Sequence, residues 1–258
     1  MGASNPAFAT SRKWGPGSDI FCPDERMILA QVNSTHDLAL NLFCVDRPQL
    51  LLLTLDSYKR QHQALDKDDF TVMLTMLTTF PSMYAIYNCG ERGGCSRIHK
   101  HIQGLRGPPH AFDHLINHHN SNSDSSSNDD NDDAAAAAAT ATTSSKLPFK
   151  AFSHHFPQTF ANTSPSQVLA VYTSLLAHCE ALLDTSNEDA APPHNVVLWR
   201  DWLIVVPRRK GNFQGASANA GGMLGSVWVP SSQYVQQWMH VPGGGCARVL
   251  AELGVPVE

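Results

Sequence analysis

The stretch Ile98-His99-Lys100-His101-Ile102-Gln103 places two imidazoles and an amide at every second position. In an extended strand alternate side chains share a face, so His99, His101 and Gln103 line up together while Ile98, Lys100 and Ile102 turn to the other side. Just upstream, Gly90, Gly93 and Gly94 let the backbone approach a ligand and present N–H groups to phosphate oxygens, and Ser96 adds a hydroxyl. Neutral imidazole is a competent nucleophile near pH 7. Beside an anion cradle it suits covalent catalysis at phosphorus, which divides one difficult displacement into two easier ones. A bare H-x-H is as consistent with surface histidines or metal ligands, and the pair alone leaves those readings open.

Such a strand needs a sheet around it. The runs MILAQV, LALNLFCV and QLLLLT, separated by Asn33-Ser34 and Asp46-Arg47-Pro48, predict an antiparallel three-stranded meander from Met27 to Thr54. Phe70, Met73, Leu74 and Leu77 fall at helical spacing, with Asp68 and Asp69 in the first turn where acidic groups suit the helix dipole, so a covering helix is expected over Asp66–Phe80. MYAIYN reads as a strand leading through NCGERGGCS into a strand over IHKHIQGL. Ser164-Pro165 opens a second helix running to Leu182-Leu183. NVVLW and WLIVVP form a hairpin bent at Arg200-Asp201, and GMLGSVWV supplies one more strand.

The expected class is α+β, a mainly antiparallel sheet covered by helices. The expected layout is an irregular N-terminal arm over 1–20, one catalytic body over 21–116 and 146–258, and a low-complexity insertion between them over 117–145. That insertion, with its Ser/Asn/Asp repeats and alanine block, has nothing to bury and is expected to be disordered.

Composition narrows the partners. A formal charge of −5 argues against nucleic acid or an anionic membrane reached through bulk electrostatics, so a small anionic ligand needs a local cationic pocket. No apolar run approaches the roughly 20 residues that span a bilayer. Pro6 stands where a myristoylation signal wants Ser or Thr. Six cysteines without a C-x-x-C pair, and no charged-then-apolar leader, suggest reduced thiols in the cytoplasm, with access to the nucleus left open.

The ordered set Asn88, Gly94-Cys95-Ser96, His99, His101, Gln103 resembles the N-x5-G-x-S-x2-H-x-H-x-Q signature of the transferase branch of the histidine triad superfamily. Within that branch the chain is most similar to the fungal ATP adenylyltransferases, also called diadenosine tetraphosphate phosphorylases. HDLALNLF with QLLLLT, QHQAL-x3-DF, HNVVLWRDWLIVVPR and SANAGGMLGSVWV resemble blocks of that family, and the likeness covers most of residues 20 to 240 apart from the insertion.

The resemblance implies a histidine-triad-like fold and phosphorolysis of diadenosine tetraphosphate or related dinucleoside polyphosphates to ATP and ADP. It implies His101 as the nucleophile that carries AMP, His99 as the residue orienting it, and Gln103 holding the phosphoryl group. Asn88, Gly93, Gly94, Cys95, Ser96 and, more weakly, Lys59 become substrate-binding residues, with Arg97 a further source of positive charge. No cofactor is required, though a divalent cation such as Mg2+ fits the chemistry. Arg97, Leu42 and Ala64 stand where family members often carry Gln, Lys and Pro, which bears on acceptor or base preference and leaves the nucleophile in place.

Rivals remain. A galactose-1-phosphate uridylyltransferase-like activity shares the spacing from Asn88 to Gln103 but usually brings a C-x-x-C metal pair. A histidine triad hydrolase is disfavoured by Gln103. A catalytically silent nucleotide-binding protein is the alternative from another class. His118-His119 read as exposed filler, His154-His155 as weak metal candidates, Arg208 and Arg209 as surface cations more than phosphate grips, and Trp199, Trp202 and Trp228 as core or interface more than base-stacking residues.

Overall fold

The computed structural model describes residues 12–112, 147–183 and 190–257. The insertion expected over 117–145, with His118-His119, lies outside the described residues.

The chain opens with two short paired strands, β1 (Arg12–Lys13) and β2 (Phe21–Cys22). The expected meander follows as β3 (Ile28–Val32), β4 (His36–Leu40) and β5 (Gln49–Thr54). The second apolar run leaves the sheet after Leu40, so Asn41–Val45 forms a loop where a continuous strand was expected. Helix α1 (Lys67–Thr79) starts at a capping box: Asp66 accepts the Asp69 N–H at 3.0 Å, and Asp69 accepts the Asp66 N–H at 2.7 Å. Its Phe70, Met73, Leu74 and Leu77 are buried as their spacing predicts, and each fully buried side chain of this size contributes roughly 1.5–3 kcal/mol.

β6 (Met83–Asn88) and β7 (His101–Arg106) flank the glycine-rich turn. After the insertion come β8 (Phe152–His155) and α2 (Pro165–Leu183), where Ser164 and Gln167 cap each other reciprocally at 3.2 and 2.8 Å. β9 (His194–Trp199) and β10 (Trp202–Pro207) make the expected hairpin, with Arg200 at a positive φ of 51° in its bend. β11 (Asn212–Phe213) and β12 (Ala216–Ser217) form a small ribbon.

The strand expected over GMLGSVWV is absent. Ala220–Met223 is a short helix, α3, because Asn219 accepts the Gly222 N–H at 3.0 Å and the small residues let the turn pack tightly: a Cβ on Gly221 would meet the Trp228 ring at 2.7 Å. Packing here overrides β propensity. α4 (Ser232–Met239) and α5 (Gly245–Leu253) close the described chain.

Eight strands form one antiparallel sheet in the order β3-β4-β5-β7-β6-β9-β10-β8. Strand parity sorts its two faces. Leu50, Leu52, Ile102, Tyr87 and Val196 face the core beneath α1 and α2. Tyr84, Ile86, Leu105, Val197 and Val206 face the other way and pack with residues of α3, α4 and α5. His101 and Gln103, paired with Leu53 and Leu51 on β5, have this second parity. No helix among the described residues is long and apolar enough to cross a membrane.

Candidate active site

A cavity of about 480 Å3, a size suited to a nucleotide, lies against the second sheet face. One end is polar, lined by Ser96, Arg97, His101, Gln103, Ser217 and Asn219. The other is apolar, lined by Ile20, Phe21, Leu40, Leu42, Phe43 and Leu51, while Trp14 and Trp228 contribute indole walls.

His101 is the first residue of β7 and only 6% exposed. Its Nδ1 lies 2.9 Å from the carbonyl oxygen of His99, and because a carbonyl only accepts, Nδ1 carries the proton and Nε2 keeps the lone pair. Burial lowers its pKa below the ordinary imidazole value, which keeps the ring neutral and nucleophilic at neutral pH. Gln61 staples its backbone, accepting the His101 N–H at 2.7 Å while its amide donates to the carbonyls of His101 at 3.0 Å and Asn88 at 3.1 Å. The Gln103 carbonyl oxygen accepts from the Gln49 amide at 2.9 Å, so the Gln103 NH2 is left to donate into the cavity.

His99 departs from the expected row. The strand begins three residues later than predicted, and the His99 ring is fully buried away from the cavity lining. Its Nε2–H donates to the Thr54 carbonyl at 2.9 Å, and its Nδ1 accepts from the Ser18 hydroxyl at 2.8 Å. Alternation therefore holds for His101 and Gln103 but not for His99. His99 touches the His101 ring through its backbone carbonyl.

The glycine turn also works differently from the expectation. The N–H groups of Gly93, Gly94 and Cys95 donate inside the turn, to the carbonyls of Gly90, Glu91 and Gly90 respectively, and are not offered to a ligand. Gly94 lines the cavity at φ +84°, where a Cβ would collide with the Ala218 carbonyl oxygen at 2.4 Å. Its role is to let two walls close on each other. The Cys95 thiol donates to the Arg97 carbonyl at 3.2 Å, and burial pushes its pKa up to about 11, so it is an inert structural thiol.

Asn88 does not line the cavity. Its Oδ1 accepts from the Asn195 amide at 3.0 Å and from the Ala220 N–H at 2.8 Å, linking the end of β6 to α3. Arg208, read from sequence as a surface cation, is wholly buried. It donates to Asn195 Oδ1 at 2.6 Å and to the carbonyls of Gly93 at 3.3 Å, Leu253 at 3.2 Å and Lys210 at 3.2 Å, thereby bracing the glycine turn from behind. Burial lowers its pKa to about 10, still far above neutrality.

Lys59 also lies off the cavity: its ammonium pairs with Asp66 at 2.7 Å at the start of α1. Lys100 turns to the opposite face, as alternation predicts, and pairs with Asp69. His154 and His155 sit on edge strand β8, His155 against the Trp202 ring at 4.7 Å. No group of three or more His, Cys, Asp or Glu that could hold a metal occurs among the described residues.

Sequence reasoning missed Trp14, Ser18 and Asp19, which carry no local signal in a Gly/Pro-rich stretch. It also undervalued Trp228 and the Ser217–Asn219 wall, for which the S-x-N-x-x-G spacing was the available cue.

An antiparallel sheet that aims a neutral histidine into a nucleotide-sized cavity defines a nucleotidyltransferase of the histidine-triad-like class. Two family models match it, the Ap4A phosphorylase N-terminal domain over residues 9–113 and the ATP adenylyltransferase C-terminal domain over residues 145–256. The chain belongs to the ATP adenylyltransferase and Ap4A phosphorylase family.

Among its relatives, diadenosine 5',5'''-P1,P4-tetraphosphate phosphorylase 2 of Saccharomyces cerevisiae is 23% identical over 85% of this chain and 71% of its own length. Protein APA1 of the same yeast is 25% identical over 87% of this chain and 70% of its own. The crystal structure of yeast Ap4A phosphorylase Apa2 in complex with AMP superposes with a TM-score of 0.72 at 23% identity, over 91% of this chain and 79% of that one. Its complex with Ap4A gives 0.71 at 22% identity, with the same coverage. At that identity the superpositions establish the fold.

Proposed function

We propose that this protein cleaves diadenosine tetraphosphate, or a related dinucleoside polyphosphate, by phosphorolysis to ATP and ADP through an AMP adduct on His101. The observation that carries the reading is the tautomer of His101: with Nδ1–H held by the His99 carbonyl, the Nε2 lone pair is the nucleophile on the cavity side. The two yeast relatives, one of them named as a phosphorylase of this substrate, support it.

In the first step Nε2 attacks an α-phosphorus, the bond to the bridging oxygen breaks, and ATP leaves with the electron pair. In the second, an oxygen of inorganic phosphate attacks the same phosphorus, the P–N bond breaks, and ADP is released with the imidazole restored. Gln103, Ser96 and Arg97 line the cavity, and on this reading their amide, hydroxyl and guanidinium stabilise charge on the phosphoryl oxygens, the kind of help that dominates catalysis of this type. The apolar end suits an adenine ring, with Trp14 or Trp228 available to stack on it.

No resident cofactor is needed for these steps, and Mg2+, where it assists, arrives with the polyphosphate. Asn88, Gly93 and Cys95 act on the substrate only by shaping the turn, and Lys59 takes no part. The six cysteines, none of them in a disulfide, suit a reducing cytoplasm, where we place the activity, with nuclear access equally compatible.

The test is product analysis after incubation with diadenosine tetraphosphate, with and without phosphate. ATP plus ADP formed only with phosphate supports phosphorolysis. Two ADP, or AMP plus ATP, formed without it indicates a hydrolase, and stoichiometric binding with no adduct indicates a silent binder. His101→Ala is expected to lose the +AMP adduct and at least about a thousandfold in turnover while keeping its fold. Unchanged turnover in that variant contradicts the proposal.

A further inference from the structure

The segment ahead of β2 grips the backbone that aims the nucleophile. Ser18 is 3% exposed, and its hydroxyl donates to His99 Nδ1 at 2.8 Å. Asp19 accepts the Ile98 N–H at 3.0 and 3.1 Å through its two oxygens, and the His99 N–H at 3.1 Å. The carbonyl of that same His99 receives the Nδ1–H of His101. We infer that Ser18 and Asp19 are positioning residues that set the aim of His101 through His99.

The physical reason is that a nucleophile oriented by a carbonyl is only as fixed as the peptide that bears it. Ser18 locks the His99 ring by occupying the nitrogen that Thr54 does not. Asp19 locks the two peptides on its N-terminal side. Misplacement of a reacting atom by about 1 Å costs on the order of a hundredfold in rate. The segment has anchors of its own: the Trp14 indole donates to Asp37 at 3.0 Å, the Gly17 N–H to the Ser57 hydroxyl at 3.2 Å, and Arg60 to the Gly17 carbonyl at 3.2 Å. Loss of one hydroxyl therefore leaves it docked.

Asp19 also acts electrostatically. Burial lowers the proton affinity of His101; the His99 carbonyl that accepts its Nδ1–H opposes that effect first and the Asp19 carboxylate second, while the charge of the His99 ring and Arg97 reinforce it. Around His99, Asp19 and Asp56 act against Arg60. The carboxylate thus keeps the nucleophile more basic than its burial alone allows.

This inference rests on the transfer reading, and a single-turnover experiment separates the two. The full chain is mixed with diadenosine tetraphosphate without phosphate, quenched, and its +AMP mass followed across the acid and neutral range. In the unsubstituted protein the adduct rate is expected to fall off with acid below the ordinary imidazole value of 6.5, because burial lowers the His101 pKa. Ser18→Ala is expected to slow adduct formation roughly tenfold with substrate KM changed less than about twofold. Asp19→Asn, which keeps an acceptor but removes the charge, is expected to move the acid limb to lower pH.

A merely structural role moves melting temperature or KM and leaves that limb in place, an outcome that overturns the assignment. So does an unchanged adduct rate in Ser18→Ala. Should Ser18→Ala fail to fold, the limb in Asp19→Asn still decides. Absence of any adduct in the unsubstituted chain defeats the transfer reading itself, and this assignment with it.

Discussion

The ammonium of Lys100 lies 2.5 Å from a carboxylate oxygen of Asp69, on the opposite side of the chain from the His101 ring. The other Asp69 oxygen is 3.1 Å from His36 Nε2, and all three side chains are buried. The same carboxylate closes the capping box of α1, so one group ties the helix, β4 and the chain entering β7 together. Removing one partner of a buried pair leaves the other charge unsatisfied, at a cost of about 3–5 kcal/mol. Lys100→Met and Asp69→Asn are therefore expected to lose at least about 3 kcal/mol in urea unfolding, and a loss under about 1 kcal/mol in both would refute the role given to the pair.

Gly94→Ala joins two penalties, a left-handed backbone at φ +84° and a Cβ placed 2.4 Å from the Ala218 carbonyl oxygen. Relief requires the turn and the Ser217–Asn219 wall to separate. Nucleotide affinity, read by calorimetry with AMP, is expected to fall at least about tenfold, with stability lowered by roughly 1–3 kcal/mol. Wild-type affinity in this variant would show that the close approach is dispensable.

Arg208 joins the glycine turn to the C-terminal helix through a planar fork of donors. A lysine keeps the charge but cannot reach acceptors in several directions at once. Arg208→Lys is expected to lose about 2–4 kcal/mol of stability and to slow adduct formation despite its distance from the substrate. Full rescue by lysine would mean that charge, not geometry, is what the position supplies.

His194 makes stability depend on acid. Its Nδ1–H donates to the Pro192 carbonyl at 2.6 Å, its Nε2 accepts from the Tyr172 hydroxyl at 2.8 Å, and burial lowers its pKa from 6.5 to about 4. As pH falls from 6.5 to about 4, the unfolded chain takes up a proton that the folded chain refuses. Stability is complete above that window, declines through it by roughly 3 kcal/mol and then levels off. Urea midpoints measured at several pH values check this, and His194→Gln is expected to flatten the decline; an equal slope in the variant would assign the acid sensitivity to other groups.

Helices α1 and α2, the meander and the β9–β10 hairpin were readable in the sequence because each is written in a short-range pattern. Capping residues, apolar spacing and turn chemistry all lie within a few positions of one another. His101 and Gln103 were readable for the same reason, since both lie inside a strand and two residues apart. His99 was misplaced because it precedes that strand, where alternation no longer governs direction. The strand expected over 222–229 is missing because its first two residues end α3, where Gly221 and Gly222 pack closely on Trp228 and Ala218, partners a local pattern does not contain, and the rest is turn and loop.

By itself, then, the sequence determined the family signature and most of the elements that carry it, and placed His101 and Gln103 on one strand face, since these depend on residue type and local spacing. Tertiary structure alone decided how the His101 ring is held and what walls the cavity. Ser18 meets His99 across 81 positions, Arg208 meets Gly93 across 115, and Asn88 meets Ala220 across 132. Contacts at such separations are set by how the sheet closes and by which buried polar groups must find a partner, and no local pattern of residues encodes that choice.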